Sequence, residues 1–170
     1  MTDFVSAQKR SEMMSGIRGK NTLPELQVRK ALFGMGYRFR LHRKDLPGRP
    51  DIVLPRRRIA ILVHGCFWHG HANCRYARTP STRTEFWTAK LAGNRLRDQR
   101  DLESLRVAGW RTLVVWECFL RSPQSPDLAR ALRDWIEGPQ QTGELREPVA
   151  EEMSGSTLEH APPRKTSHRK

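Results

Sequence analysis

The residue types best suited to chemistry are concentrated in one short segment, His64–Cys74, which reads HGCFWHGHANC. Within it, Cys66, His71 and Cys74 follow the spacing C-x4-H-x2-C, and Cys118 ends a distant apolar run, LVVWEC. Zinc binds thiolate and imidazole ligands tetrahedrally, and a site closed by four protein ligands is structural rather than catalytic. These four side chains are therefore candidate ligands of a structural zinc ion.

Two further histidines of the segment, His64 and His69, remain free if His71 is the zinc ligand. Histidine changes its protonation state near neutral pH, so a general acid or base is the natural use of a free imidazole. A thiolate already held by zinc is a poor nucleophile, which disfavours a Cys–His pair involving Cys66. The open alternative is that His64 or His69 binds zinc in place of His71.

Asp51 stands at the start of an apolar run, PDIVLP, and a second apolar run, RIAILVHG, brings the chain to His64. If these runs form adjacent strands, a carboxylate and an imidazole meet at one end of a sheet. Mg²⁺ prefers one or two carboxylates together with water and phosphate. The pattern predicts a Mg²⁺ site at Asp51, and a structural aspartate at a strand edge is the ordinary alternative.

Two other acidic residues have both a functional and a structural interpretation. Asp98 lies on a helix face that is otherwise apolar, and an inward carboxylate needs a partner because an unpaired buried charge is costly. That partner is either a histidine that Asp98 orients or a buried arginine. Glu25 occupies the third position after Thr22, where glutamate completes a capping box, and composition alone favours this structural role.

The chain is strongly basic, with a formal net charge of +13. Residues 139–170 contain five Lys+Arg and five Asp+Glu, so the whole excess lies on residues 1–138. Such a body is expected to bind a polyanion, most commonly nucleic acid. In that setting, loop aromatics wedge between base pairs or pack on the core, and basic residues contact phosphate or form a solvated face. The candidate residues for contacts with nucleic acid are the aromatics Phe67, Trp68 and Trp87 and the basic residue Lys90.

Cysteine usage and hydropathy bear on location. Three cysteines are a poor basis for a disulfide framework, whereas metal-bound thiolates suit a reducing cytosol. No apolar run is long enough to span a membrane, and no secretory signal is evident at Met1–Ser15. We expect a cytoplasmic protein that has no membrane partner.

Hydrophobic periodicity predicts the elements that position these residues. After a helical pattern within residues 6–18, the prediction is helix 22–35, strand 37–43, strands 50–55 and 58–65, helix 85–108, strand 111–117 and helix 126–137. This order describes an α/β domain with a mixed sheet. After Gly138 the chain is polar and poor in aromatics, so residues 139–170 are predicted to be a disordered tail.

In combination, these motifs resemble the very-short-patch repair (Vsr) endonucleases. The matching segments run in order from Ser11 to Leu120, and they are SEMMSGIRGKNTLPE, GRPDIVLP, HGCFWHGHANC, STRTEFW, N-x3-D at Asn94–Asp98, and GWRTLVVWEC. The resemblance implies a restriction-endonuclease-like fold and a Mg²⁺-dependent enzyme. Its expected reaction is a nick in one DNA strand immediately 5′ of a thymine mispaired with guanine, the mismatch left when 5-methylcytosine deaminates.

The resemblance also implies roles for single residues. Asp51 resembles the metal-binding aspartate of the family. His64 and His69 resemble its catalytic histidines, and His69 resembles the base that activates water. Glu25 and Asp98 resemble the supporting acidic residues. The structural zinc site is matched by Cys66, His71, Cys74 and Cys118. The DNA contacts are matched by Phe67, Trp68 and Trp87 as a wedge, and by Met14 and Ile17 on an N-terminal arm.

The expected organisation is a DNA-gripping arm at 1–20, a catalytic domain at 21–138 and the tail at 139–170. The expected partner is double-stranded DNA with a T:G mismatch, and one asymmetric nick suggests a monomer. Mismatch-repair proteins, a companion cytosine-5 methyltransferase and a place at the bacterial nucleoid follow from the resemblance alone. The competing hypothesis is a non-catalytic, zinc-stabilised nucleic-acid binding module, which leaves the combination of Asp51, His69 and Asp98 unexplained.

Overall fold

The computed structural model describes residues 20–148. The elements in this part of the chain are α1 (Leu23–Gly34), β1 (Arg40–Leu41), β2 (Ile52–Leu54), β3 (Ile59–His64), α2 (Thr84–Val107), β4 (Arg111–Trp116), α3 (Glu117–Arg121), α4 (Leu128–Glu137) and β5 (Thr142–Leu145). One turn of 3-10 helix, Pro55–Arg57, joins β2 to β3. The predicted α/β class with a mixed sheet is confirmed. The N-terminal arm was predicted at residues 1–20. Its residues 1–19, which include Met14 and Ile17, lie outside the described part of the chain.

All five strands form one sheet in the order β1-β2-β3-β4-β5. β1, β2 and β3 are successively antiparallel, whereas β3, β4 and β5 are parallel. Ile52 at the start of β2 pairs with Ile61, and His64 at the end of β3 pairs with Trp116 at the end of β4. One edge of the sheet therefore brings together Asp51 and the carboxyl ends of β3 and β4.

Helices cover both faces of the sheet. The face covered by α1 and α4 holds the larger core, which consists of Val28, Leu32, Ile52, Leu54, Ile59, Ile61, Leu113, Val115, Leu132, Trp135 and Ile136. The face covered by α2 holds a smaller core of Val53, Ala60, Leu62, Leu105 and Trp110. Strand side chains alternate between the two faces, which is why the central strands are apolar throughout residues 59–63 of β3 and 113–116 of β4. Among residues 20–148, no helix has the length and apolar character needed to cross a membrane.

The first strand is shorter than predicted. The pattern from Tyr37 to Arg43 predicts seven residues of strand, but β1 contains only Arg40 and Leu41, and both are exposed. His42 adopts a left-handed backbone conformation with φ 46°, which ends the extended run. The bend turns the chain from the sheet edge towards the residues that precede Asp51.

The prediction that disorder begins at Pro139 is wrong for residues 139–148. Thr142–Leu145 forms β5 and pairs in parallel with β4, from Thr112 to Val115. Leu145 packs against the larger core, and the amide of Glu147 donates to Cys118 Sγ at 3.4 Å. An edge strand needs main-chain pairing and only a little apolar surface, so composition gave no sign of it. The domain predicted to end at residue 138 therefore continues through residue 148.

Candidate active site and metal centre

A cleft of about 750 Å³ opens at the sheet edge where β2 begins and β3 ends. All five side chains predicted to be catalytic line it, and they are Glu25, Asp51, His64, His69 and Asp98. Four basic residues also line the cleft, and they are Lys20, Lys44, Arg49 and Lys90. The cleft thus combines carboxylates and imidazoles with a basic surround that suits a phosphate-bearing ligand.

Asp51 is fixed by the strand that follows it. Its Oδ2 accepts a hydrogen bond from the amide of Val63 at 2.7 Å, across the β2–β3 pairing. Its Oδ1 lies 3.8 Å from His42 Nδ1. Burial raises the pKa of Asp51, and the Val63 amide and the neighbouring cations oppose that rise. One oxygen is thereby oriented by the backbone, while the other remains available to a cation.

His69 and Asp98 form a close pair across the cleft wall. His69 Nδ1 lies 2.7 Å from Asp98 Oδ2, and Asp98 is one turn beyond Asn94 on α2. Asn94 Nδ2 donates to the carbonyl of Trp68 at 2.8 Å, so α2 holds the loop as well as the imidazole. Of the two interpretations of Asp98, the structure favours the one in which it orients a histidine. With Nδ1 donating to the carboxylate, Nε2 is left as the acceptor.

His64 supports His69 from below. The two imidazoles are stacked with ring centroids 3.8 Å apart and planes 4° apart, and Trp116 meets His64 edge-on at 5.2 Å. Burial, and after it the charge of His69, lower the pKa of His64 to about 3. His64 therefore stays neutral near physiological pH, where it packs against His69 without repelling a proton on it.

Glu25 both caps α1 and lines the cleft. Its amide donates to Thr22 Oγ1 at 3.4 Å, and its Oε2 accepts from the amide of Asn21 at 2.7 Å. These bonds cap α1 in the manner of a capping box, displaced by one residue. Yet the side chain is only 2% exposed and reaches the cleft, where its Oε1 contacts Arg29 and lies 3.0 Å from His42 Nε2.

His42 is a residue of the cleft that the sequence interpretation missed. Its imidazole stands between Glu25 and Asp51, and its amide donates to the carbonyl of Asp51 at 3.2 Å. Burial lowers the pKa of His42, against the raising effect of Asp51. The sequence feature that could have indicated it is its place on the polar face of the alternating run Tyr37–Arg43, shortly before the turn that leads to Asp51.

A second cluster forms behind the cleft from the four predicted zinc ligands. Donor atoms of Cys66, His71, Cys74 and Cys118 all lie within 4.8 Å of one another. His71 is the histidine in this set, whereas His64 and His69 group with Asp98 instead. Cys66 and Cys118 are fully buried, and no carboxylate of the described residues enters the group. Three sulfurs and one imidazole match the donor set of a closed tetrahedral zinc site.

The protonation of the thiols reflects their contacts. A hydrogen bond from Cys66, together with the amide of Glu147, lowers the pKa of Cys118 to about 5 despite its burial. The pKa of Cys66 is raised, first because it donates to Cys118 and then because it is buried. His71 stacks on Trp116 with ring centroids 4.0 Å apart, which fixes the imidazole beside the sulfurs.

The predicted wedge residues Phe67, Trp68 and Trp87 form a half-exposed aromatic surface together with Phe86, and Trp68 also lines the cleft. The ring centroids of Phe67, Trp68 and Trp87 are 5.0 to 6.1 Å apart, and that of Phe86 is 5.3 Å from that of Trp87. Lys90 Nζ lies 5.6 to 5.7 Å from the ring centroids of Trp68, Phe86 and Trp87. None of the four rings belongs to the buried clusters of the described residues, and Phe86, which the sequence interpretation left out, is 45% exposed.

Comparison with known proteins agrees with this arrangement. The family model described as DNA mismatch endonuclease Vsr matches residues 2–75. The type II nicking enzyme V.XorIIP of Xanthomonas oryzae pv. oryzae is 54% identical over 120 residues, which cover 71% of this chain and 88% of that one. The DNA mismatch endonuclease Vsr of Escherichia coli K12 is 42% identical over 141 residues, which cover 81% and 90%. The chain belongs to the Vsr family of DNA mismatch endonucleases.

Proposed function

We propose that this protein is a T:G mismatch endonuclease, which nicks one DNA strand 5′ of the thymine in mismatches left by deaminated 5-methylcytosine. Membership of the Vsr family supports this proposal. The observation that carries it is the meeting, in one basic cleft, of Asp51 with the His69–Asp98 pair. The mixed five-stranded sheet with its acidic edge is also what a restriction-endonuclease-like fold would require.

The catalytic cation in this proposal is Mg²⁺, held by Asp51. The residues fit it, because one Asp51 oxygen is fixed by Val63 and the other faces the cleft beside basic residues suited to phosphate. Bound there, Mg²⁺ would supply positive charge against the charge that develops on the attacked phosphate. Burial raises the pKa of Asp51. The Val63 amide and a bound cation would act against this rise and favour the ionised carboxylate that the site needs.

The water that attacks phosphorus must lose a proton, and His69 Nε2 is the proposed acceptor. Asp98 holds the other ring nitrogen at 2.7 Å and stabilises the imidazolium that forms. His64 remains neutral and buried beneath the ring, so it keeps His69 in place without competing for the proton. As the water oxygen bonds to phosphorus, the P–O bond to the departing oxygen breaks, and that oxygen takes up a proton from solvent.

Recognition of the mismatch is assigned to the aromatic surface of Phe67, Trp68 and Trp87. A T:G wobble pair is stacked less well than a matched pair, so inserting a wedge there costs less unstacking energy. Lys90 lies over these rings and would place its charge beside the opened base step. Met14 and Ile17, on the arm outside the described residues, are proposed to grip the DNA from the other groove.

The second metal in the proposal is a structural zinc ion held by Cys66, His71, Cys74 and Cys118. It would tie the loop that carries His69 and the wedge to Cys118 on α3, at the end of β4. Because such a site forms only in the folded chain, its binding energy would contribute to folding. We further propose that the protein is a monomer and that it acts in the bacterial cytoplasm, near the nucleoid. Its proposed functional companions are mismatch-repair proteins and a cytosine-5 methyltransferase.

The deciding experiment is a nicking assay on two duplexes that differ only in a T:G or T:A pair, with and without Mg²⁺. We expect one nick, in the thymine strand of the T:G duplex, only when Mg²⁺ is present. Asp51→Asn should nick far more slowly and regain part of the rate as Mg²⁺ is raised. Preferential binding of the T:G duplex with no nick under any of these conditions would instead identify a non-catalytic binding module.

A further inference from the structure

We propose that Trp116, tied to β5 by Glu144, is a positioning residue that holds the stacked imidazoles of His64 and His69 in place for nicking. The proposal rests on the proposed function, because it takes His69 as the base. It gives a task to an indole that takes no part in the proposed proton transfer, and to a carboxylate on the edge strand of the sheet.

The indole of Trp116 touches both histidine-containing sites. It is stacked on the His71 ring, with centroids 4.0 Å apart and planes 5° apart. The same indole meets His64 at a centroid distance of 5.2 Å and an angle of 75°. It is only 9% exposed and belongs to one buried cluster with Cys66 and Cys118. A movement of this side chain would therefore disturb the cysteine cluster and the imidazoles of the cleft together.

The pairing of β4 with β5 brings Glu144 within reach of the indole. Glu144 lies opposite Val114 in the parallel register, and Trp116 is two residues beyond Val114, on the same face of the sheet. A long side chain can span such a diagonal step between neighbouring strands. Glu144 Oε2 accepts a hydrogen bond from Trp116 Nε1 at 3.0 Å, a normal length. The edge strand thus anchors the polar end of the indole.

This hydrogen bond selects one orientation of the Trp116 ring. A buried indole N–H needs an acceptor, because leaving the donor unpaired costs free energy. Turning the ring over about its Cβ–Cγ bond would carry Nε1 away from Glu144 and lose the bond. The contacts of the indole with His71 and His64 are therefore held in the observed geometry by β5.

The imidazole of His69 is supported by two different elements. Asp98 on α2 lies 2.7 Å from His69 Nδ1 and orients that ring by a hydrogen bond. Trp116 on β4 packs against His64, which is stacked on His69 at 3.8 Å. A general base must lie within hydrogen-bond reach of the proton that it takes, so a small displacement of His69 is costly. Loosening the stack should therefore lower the nicking rate more than the affinity for DNA.

The test compares Glu144→Ala with Glu144→Gln in the zinc-loaded, full-length protein. Glu144 is exposed, so neither change should disturb the core. Glu144→Ala should slow single-turnover nicking of a saturating T:G duplex by about tenfold, with the dissociation constant for DNA within about twofold of wild type. Glu144→Gln keeps an oxygen acceptor and should retain most of the rate. Trp116→Phe removes the donor, and adding it to Glu144→Ala should cause little further loss, because both changes break the same bond.

Nuclear magnetic resonance of the DNA-free protein supplies a readout that does not depend on nicking. The Trp116 indole proton should exchange slowly with solvent in the wild type and in Glu144→Gln, and faster in Glu144→Ala. The ring-proton signals of His64 and His69 should shift in Glu144→Ala, although neither residue is altered, because the ring current of the indole moves with it. Thr142→Ala is the matched control. It changes a side chain of the same strand that lies opposite Thr112, and it should leave the rate and these signals unchanged.

A Glu144→Ala rate within about twofold of wild type would overturn the proposal. So would a slower variant that has also lost its zinc, or imidazole signals that stay in place while the indole proton exchanges freely. In each of these cases T:G-specific nicking by the wild type would leave the proposed function standing. A wild type that binds the T:G duplex without nicking it would reject the proposed function, and shifted imidazole signals in Glu144→Ala would then still support Trp116 as the residue that holds the stack.

Discussion

The two histidine-containing sites of this protein share the segment His64–Cys74 and differ in how they exclude water. The cysteine cluster is closed, with Cys66 and Cys118 fully buried and its donors facing one another. The cleft is open, and the side chains of Asp51 and His69 remain 24% and 28% exposed there. His69 and His71, two residues apart in one loop, thus serve an open cleft and a cluster whose Cys66 and Cys118 are fully buried.

This difference assigns separate tasks to the two sites. A closed set of four soft donors leaves no position for a substrate, so its metal would stabilise the loop. An open set of carboxylates and imidazoles leaves positions for water and phosphate. The loop connects the two sites, because Phe67, Trp68 and His69 lie on the segment that contains Cys66 and Cys74. Damage to each site should therefore have a distinct signature.

The largest effect is expected from Cys118→Ala, which removes a ligand from the closed site. Zinc content should fall and the free energy of unfolding should drop by about 4 kcal/mol or more, since loss of a metal is among the most damaging single changes. Metal analysis and chemical denaturation would measure both quantities. A variant that keeps one zinc per chain and wild-type stability would remove Cys118 from the site.

The next effect is on the open site and should spare the fold. His69→Ala should lower the nicking rate by about 10²- to 10⁴-fold, the usual contribution of a general base, with zinc content unchanged. Added Mg²⁺ should not restore the rate, in contrast to Asp51→Asn. If His69→Ala nicks at the wild-type rate, the base is another residue, and His64 is the next candidate.

A pair of truncations tests how far the closed site depends on β5. Ending the chain after Pro148 should preserve zinc binding and nicking. Ending it after Gly138 removes Leu145 from the core and the Glu147 amide from Cys118 Sγ, which should cost about 3 kcal/mol of stability and weaken zinc binding. Equal melting temperatures for the two chains would show that β5 contributes nothing to the cluster.

Much of both sites was accessible from the sequence because their residues are local or carry strong periodicity. The spacing C-x4-H-x2-C and the apolar run before Cys118 predicted the membership of the cluster, and the stripe containing Asp98 predicted an inward carboxylate. Buried parallel strands are apolar along their whole length, which is why β3 and β4 were predicted to within one residue.

What the sequence did not indicate depends on pairing between distant segments. β5 has a single core residue, Leu145, so its order comes from main-chain pairing with β4 that no local pattern encodes. The sequence predicted His42 to lie on the solvent-exposed face of a strand, and only the fold brings it between Glu25 and Asp51. The choice between His69 and His71 was likewise open until α2 placed Asp98 against His69.

A smaller effect is expected from the aromatic surface, which lies next to the open site but outside its chemistry. Phe67→Ala and Trp68→Ala should each weaken binding to a T:G duplex by about 1–3 kcal/mol and weaken binding to a T:A duplex less. Zinc content and the nicking rate at saturating DNA should change little by comparison with His69→Ala. Titrations in which both variants keep the full preference for T:G would show that these rings serve the fold alone.

The smallest effect concerns a carboxylate far from either site, Glu137, which accepts from Tyr37 Oη at 2.7 Å and pairs with Arg57. The hydrogen bond from Tyr37, and then Arg57, hold the pKa of Glu137 below its usual value. A lowered folded-state pKa contributes stability above the unfolded pKa, and that stability is lost as pH falls through the folded value. Tyr37→Phe should therefore be slightly less stable than wild type near neutral pH, with the difference shrinking in acid, while Tyr76→Phe serves as the control. A pH-independent difference in denaturation midpoints would mean that Tyr37 does not hold Glu137 ionised, and unchanged nicking by Tyr37→Phe would separate this contact from both sites.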